Sequence, residues 1–188
     1  MQYSAQADAP VGDAQTIALR GQLEALVQGL GMVLIELGVF YTKSRKDTPN
    51  GVVGTAQVRA VVYKPGVLGT TDCSRVHHAI LPKLEEAFPG RELSVEVSTP
   101  GITRQVKDGI ELAHYRGRGV RLWRTDISDW SAGLLEAVDE QGITIKGKEG
   151  MIRLDYTIVA KAKLEPGIEL DLNMRSDPDP SQEEYIGH

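Results

Sequence analysis

Between residues 93 and 104 the chain changes character, and that change limits the folds open to it. Leu93, Val95 and Val97 alternate with polar residues as in a half-buried strand, which then runs into Thr99-Pro100-Gly101. Pro100 fixes its own φ and holds Thr99 extended, and Gly101 permits a sharp change of direction. Before this corner, helical and strand periods take turns. After it, one short helical stretch is followed by period-two runs alone. The chain therefore reads as an α/β unit, a junction, and an all-β unit. Ser98, Thr99, Pro100 and Gly101 form the junction motif, and its polar atoms serve the corner itself before they serve a partner, because Pro-Gly corners are common.

The stretches on either side give the element order. Residues 1–15 are mostly small and polar, with Pro10 and Gly12 among them, and are expected to be disordered. Leu19, Leu23, Leu26, Val27 and Leu30 recur at helical spacing up to Gly31. From Met32 the period switches to two, placing Val33, Ile35, Leu37, Val39 and Tyr41 on one face of a strand. A polar loop with Lys43, Arg45, Lys46 and Asn50-Gly51 leads to a second strand over 55–64, expected to run antiparallel to the first. Thr70-Thr71-Asp72 supplies capping and first-turn residues for a second helix, whose stripe is Cys73, Val76, Ile80, Leu84, Ala87 and Phe88. Pro82 is expected to kink or break that helix and open a final short piece. The third strand is 91–98.

The order α-β-β-α-β fits a two-layer sandwich with both helices on one face of the sheet. Residues 108–115 read as a short helix. Five β runs follow at 119–125, 131–138, 142–147, 150–154 and 158–164, which suggests a small SH3-like or Sm-like barrel. The expected fold class is α+β, with the α/β domain at 16–116, the barrel at 117–170 and a disordered acidic tail at 171–188.

Charge distribution narrows the partners. The chain of 188 residues carries a net charge of -5, but the tail from 171 holds five acids and one base. Within 98–124 six bases (Arg104, Lys107, Arg116, Arg118, Arg121, Arg124) face only Asp108 and Glu111. A locally basic face on a near-neutral body is the expectation. One cysteine excludes an internal disulfide framework and fits a reducing cytosol. No apolar run is long enough to span a membrane and no basic-then-apolar signal pattern opens the chain, so a cytoplasmic location without membrane contact is expected.

Motifs for chemistry are sparse. Gly142 to Lys148 matches Gly-x4-Gly-Lys, but Glu149 stands where a phosphate loop needs Ser or Thr. Ile143 and Ile145 alternate as in a strand and no helix follows, so the stretch reads as a β-hairpin turn. Cys73 and His77, with His78 adjacent, could begin a metal site, yet no ligand pair completes it, and Cys73 fits a small core residue. No nucleophile or dinucleotide fingerprint is present, so no cofactor, metal or catalytic residue is assigned.

The basic residues remain: Arg104, Lys107, Arg118, Arg121 and Arg124, then Lys146 and Lys148 near a turn, and Lys161 and Lys163 on one face of the last strand. They suit phosphate contact as well as they suit solubility and edge protection. Trp123 and Trp130 fit core or inter-strand packing better than base stacking.

A family resemblance adds to this. Glu96-Val97-Ser98-Thr99-Pro100-Gly101-Ile102-Thr103-Arg104 resembles the Glu-Val-Ser-Ser-Pro-Gly-Leu-Asp-Arg signature of the bacterial ribosome maturation factor RimP family. Asp72-Cys73-Ser74-Arg75-Val76, the helix bearing His114-Tyr115, and Ile158 to Pro166 are similar to further family segments in order and spacing, covering most of 16–166. Thr99, Thr103 and Gln105 depart from the family's Ser, Asp and Pro, Pro82 interrupts a helix the family runs through, and the acidic tail is extra.

The resemblance implies a monomeric, non-enzymatic factor for maturation of the small ribosomal subunit. Such a factor binds the immature particle, with the barrel contacting the very basic twelfth small-subunit ribosomal protein. Asp126, Asp129, Glu136 and Asp139 would supply an acidic face for that protein, and the basic residues would contact rRNA phosphates. The competing expectation is a stand-alone RNA-binding module built on the Sm-like barrel. A third is an enzyme with a site at the junction near Arg104 and His114.

Overall fold

The computed structural model describes residues 14–42, 54–66 and 69–169. The disorder expected of 1–15 and 171–188, and the loop with Lys43, Arg45, Lys46 and Asn50-Gly51, fall wholly or almost wholly outside those residues. The chain is a mixed α+β protein, and its packing divides it into two compact units between Gly101 and Ile102.

The first unit follows the expected order: α1 (Ala14–Gly29), β1 (Val33–Tyr41), β2 (Thr55–Tyr63), α2 (Thr70–Ala87) and β3 (Glu92–Ser98). β1 pairs antiparallel with β2, as expected, and β2 pairs parallel with β3. The parallel pair needs a long crossover, which α2 supplies. Leu19, Leu23 and Val27 of α1 and Val76, Ile80 and Leu84 of α2 share one core with Ala56, Val58, Ala60 and Val62 of β2. Gly31, at φ 75°, ends α1, and the Met32 N–H returns to the Val27 carbonyl at 3.1 Å.

Two local expectations are corrected. The register of β1 shifts between Leu34 and Glu36, so Ile35 is the extra residue of a bulge. Met32 and Leu34 before it, and Leu37 and Val39 after it, therefore all belong to the core, where unbroken alternation would have put Val33 and Ile35. Pro82 lies inside α2 and does not break it. The missing N–H forfeits a single bond to the His78 carbonyl, while Ile80 and Leu84 on either side are fully buried and hold both flanking turns in place.

The second unit contains β4 (Gln105–Val106), α3 (Gly109–Ala113), β5 (Gly119–Arg124), β6 (Asp129–Val138), β7 (Gly142–Gly147), β8 (Gly150–Asp155), a 3-10 turn (Tyr156–Ile158) and β9 (Val159–Leu164). Among the described residues its strands form one antiparallel sheet in the order β4-β9-β5-β6-β7-β8, six strands where five were expected. The sixth is β4, whose Gln105 and Val106 lie opposite Lys163 and Ala162. That pairing, with burial of Val106, Leu112 and Tyr115, carries residues 102–116 into this unit and away from the first, where the sequence had put them. Gly142 to Gly147 is a strand, and Lys148-Glu149 is the two-residue turn of the β7–β8 hairpin, in keeping with the hairpin reading of the phosphate-loop look-alike.

Candidate nucleic-acid interface

Alternation decides which side chains leave the second unit's core. Val120 and Leu122 of β5, Leu135 of β6, Ile143 and Ile145 of β7, and Ala162 and Leu164 of β9 are buried. Their strand neighbours must point the other way. Register then brings these neighbours together. Arg121 lies opposite Lys163 on one side and Ala132 on the other, and Trp123 lies opposite Lys161 and Trp130. Directly paired residues share a face. Arg121, Trp123, Trp130, Lys161 and Lys163 therefore occupy one outer face of β9-β5-β6. The same parity continues through Leu134 to Lys146 and the exposed Met151.

The face has defined geometry. The indoles of Trp123 and Trp130 meet edge to face, with centroids 5.4 Å apart and planes at 73°. The Arg121 guanidinium lies 5.6 Å from the Trp130 ring centre, and the Lys163 ammonium 5.2 Å from it. These are cation–π distances. Glu165 approaches both cations loosely, at 3.6 Å from Arg121 and 3.8 Å from Lys163. Both tryptophans are half-buried inter-strand neighbours and neither is a core residue. Sequence reasoning foresaw their packing but not the company they keep.

Other basic residues are engaged elsewhere. Arg104 Nε donates to Glu111 Oε1 at 2.6 Å, and both side chains are largely buried. Glu111 also accepts from the Lys107 backbone N–H at 3.2 Å and the Tyr115 hydroxyl at 3.3 Å. Asp108 caps α3 by accepting from the Glu111 N–H at 2.8 Å. Arg104 thus belongs to a structural cluster, whereas the Lys107 side chain is exposed. Arg118 Nε donates to Glu169 Oε1 at 2.6 Å, an oxygen that the Gly119 N–H also reaches at 2.9 Å. Arg124 donates to Asp126 through two nitrogens, one of them at 3.0 Å. Lys146, Lys148 and Lys161 are exposed and form no ion pair among the described residues.

The four acids named from the sequence do not share one patch. Asp126 and Asp129 lie at the β5–β6 turn, whereas Glu136 and Asp139 lie near the other end of β6, roughly 23–33 Å from Asp129 by strand rise. The Arg124 guanidinium lowers the Asp126 carboxyl below the usual range. Asp129 accepts from the Trp130 N–H at 2.7 Å, and Glu136 falls where the β6 register shifts. Asp139 receives two hydrogen bonds from Arg153 at 2.9 Å and caps the turn through the Gln141 and Gly142 N–H groups. Arg153 first, and then these backbone donors, lower its pKa. Of the junction motif, Ser98 ends β3 opposite Val61, and Thr99 to Gly101 lead to the boundary between units. Cys73, His77 and His78 gather no three-ligand group among the described residues.

The partners of Glu111, Glu165 and Glu169 escaped the sequence reading. For Glu111 a capping position after Asp108 was visible; for the other two, only the sheet order reveals the partners.

Fold and surface together define a two-unit α+β protein whose second unit presents a cationic, tryptophan-bearing sheet face. No family model matches the chain. The ribosome maturation factor RimP of Borrelia turicatae is 31% identical to it over 135 residues, covering 72% of this chain and 85% of that one. The RimP of Borrelia recurrentis is 27% identical with the same coverage, and that of Microcystis aeruginosa 27% over 146 residues, 74% of this chain and 86% of its own. The chain belongs to the ribosome maturation factor RimP family.

Proposed function

We propose that this chain is a non-enzymatic maturation factor of the small ribosomal subunit, acting in the cytoplasm as a monomer that binds the immature particle through rRNA and ribosomal protein contacts. Family membership supports the maturation role. The observation that carries the RNA contact is the outer face with Arg121, Lys161 and Lys163 around the Trp123–Trp130 pair. Phosphate contacts of this kind fix position without reading sequence.

The second unit is read as an SH3-like or Sm-like barrel. The placing of β9 beside β5, the last of the five main strands next to the first, supports that reading. The twelfth small-subunit ribosomal protein is the proposed protein partner. Asp129 and Glu136, which form no ion pair among the described residues, are the acids best suited to it; Asp126 and Asp139 already hold arginines.

Co-sedimentation with immature and mature small subunits at low and moderate salt tests the proposal. Preferential binding to the immature particle is expected. Binding to neither particle, with free RNA bound well, overturns it in favour of a stand-alone RNA-binding module, the reading that the same cationic face also favours.

A further inference from the structure

A row of lysines is enough to protect a sheet surface, so the two indoles on the outer face need a separate reason. Trp130 is already covered by Arg121 at 5.6 Å and Lys163 at 5.2 Å. No cation stacks on Trp123 among the described residues, and Lys161 stands directly opposite it in the register. The two rings thus have different surroundings: Trp130 tethers positive charge, and Trp123 beside it is a half-buried ring with no cation over it among the described residues.

Resting on the rRNA contact proposed above, we propose that this face binds single-stranded RNA by stacking an unpaired base on Trp123 while Arg121, Lys161 and Lys163 hold the flanking phosphates. A base within a duplex is covered by its neighbours, so only an unpaired base can give its π-face to a side chain. The loose approaches of Glu165 to Arg121 and Lys163, at 3.6 and 3.8 Å, are the contacts an arriving phosphate replaces.

The test uses the full chain and fluorescence anisotropy with a short labelled oligouridylate, a labelled RNA hairpin of equal length, and a series of salt concentrations. The single strand is expected to bind more tightly than the hairpin. Trp123→Leu is expected to weaken oligouridylate binding roughly 5- to 150-fold with the salt slope unchanged. Lys161→Gln is expected to weaken it modestly and reduce the slope by about 0.7.

Trp123 also packs on Trp130, so the wild-type protein supplies a readout that needs no variant. Both tryptophans of the chain lie on this face, and stacking on Trp123 quenches their emission as oligouridylate is added. Unchanged emission at saturating RNA overturns the proposal. So does a hairpin that binds as well as the single strand, a folded Trp123→Leu with wild-type affinity, or displacement of the RNA by an equal concentration of polyglutamate. If wild type and Trp123→Leu co-sediment equally with immature subunits while oligouridylate is not bound, this inference falls and the maturation role stands. If the wild type does not bind immature subunits, the maturation role itself falls.

Discussion

Replacing Glu111 by alanine should unfold the second unit more readily than any change to its surface charges. Glu111 is 7% exposed, and its carboxylate is reached by the Arg104 guanidinium at 2.6 Å, the Lys107 N–H at 3.2 Å and the Tyr115 hydroxyl at 3.3 Å. Removing one partner of a buried pair takes from the Arg104 guanidinium the carboxylate it sits against at 2.6 Å, and such losses cost roughly 3–5 kcal/mol. The backbone donor of Lys107 loses its acceptor at the same time. For a unit of this size each kcal/mol lowers the melting temperature by about 4–8 °C, so Glu111→Ala should melt about 12 °C or more below the wild type.

Tryptophan emission is a clean assay, because both tryptophans lie in the second unit. Arg104→Met should be destabilising too, since it strands Glu111, and the double variant Arg104→Met/Glu111→Leu should recover most of the loss, because a well-packed apolar pair often equals a buried ion pair. Were Glu111→Ala to melt within about 1 kcal/mol of the wild type, the cluster would have no role in holding α3 and β4 in this unit, and the reasoning fails.

Three further outcomes are expected. Gly133→Ala would bring its Cβ to 2.6 Å from the Lys146 carbonyl oxygen, so the β6–β7 ladder must shift; a loss of about 1–3 kcal/mol should appear in urea unfolding followed by tryptophan emission. Pro82→Ala restores an N–H facing the His78 carbonyl and should stabilise the first unit by roughly 1–3 kcal/mol, seen as slower amide exchange along α2. The Asp139 carboxyl is lowered from its ordinary 3.8, so its interaction with Arg153 stabilises the fold above that pH and is lost as the pH falls through the depressed folded value. The difference in melting temperature between the wild type and Asp139→Asn should therefore be largest near neutrality and narrow below pH 3.8; a constant difference would contradict the assignment.

Much of this architecture is written in local pattern. The alternation of Val120 and Leu122, or of Ala162 and Leu164, marks strands to within a residue or two, and Asp108 announces the start of α3. Pairing is another matter. Nine cations were visible as contacts for phosphate, but period alone cannot tell that Arg121 meets Lys163 across β5–β9 while Arg104 turns to Glu111. Bulges hide for the same reason. An extra residue at Ile35 swaps the faces of β1 without disturbing its composition, and only the partner strand reveals it. At Pro82, where a kink or a break was expected, the break is absent: the helix runs through, held by the burial of Ile80 and Leu84 on either side.

The threading of β4 and β5 against β9 has a consequence for how the protein is made. Gln105 and Arg121, met early in the second unit, find their partner Lys163 only in its last strand. Loop-closure entropy opposes such distant contacts until the intervening hairpins have formed. During synthesis the first unit has all its strands once Ser98 has left the exit tunnel and can fold while elongation continues. The second unit must wait for Leu164, and until then β5 has no β9 along its outer edge. The nascent chain therefore acquires its two halves in sequence, and the tryptophan-bearing surface is the last part to take shape.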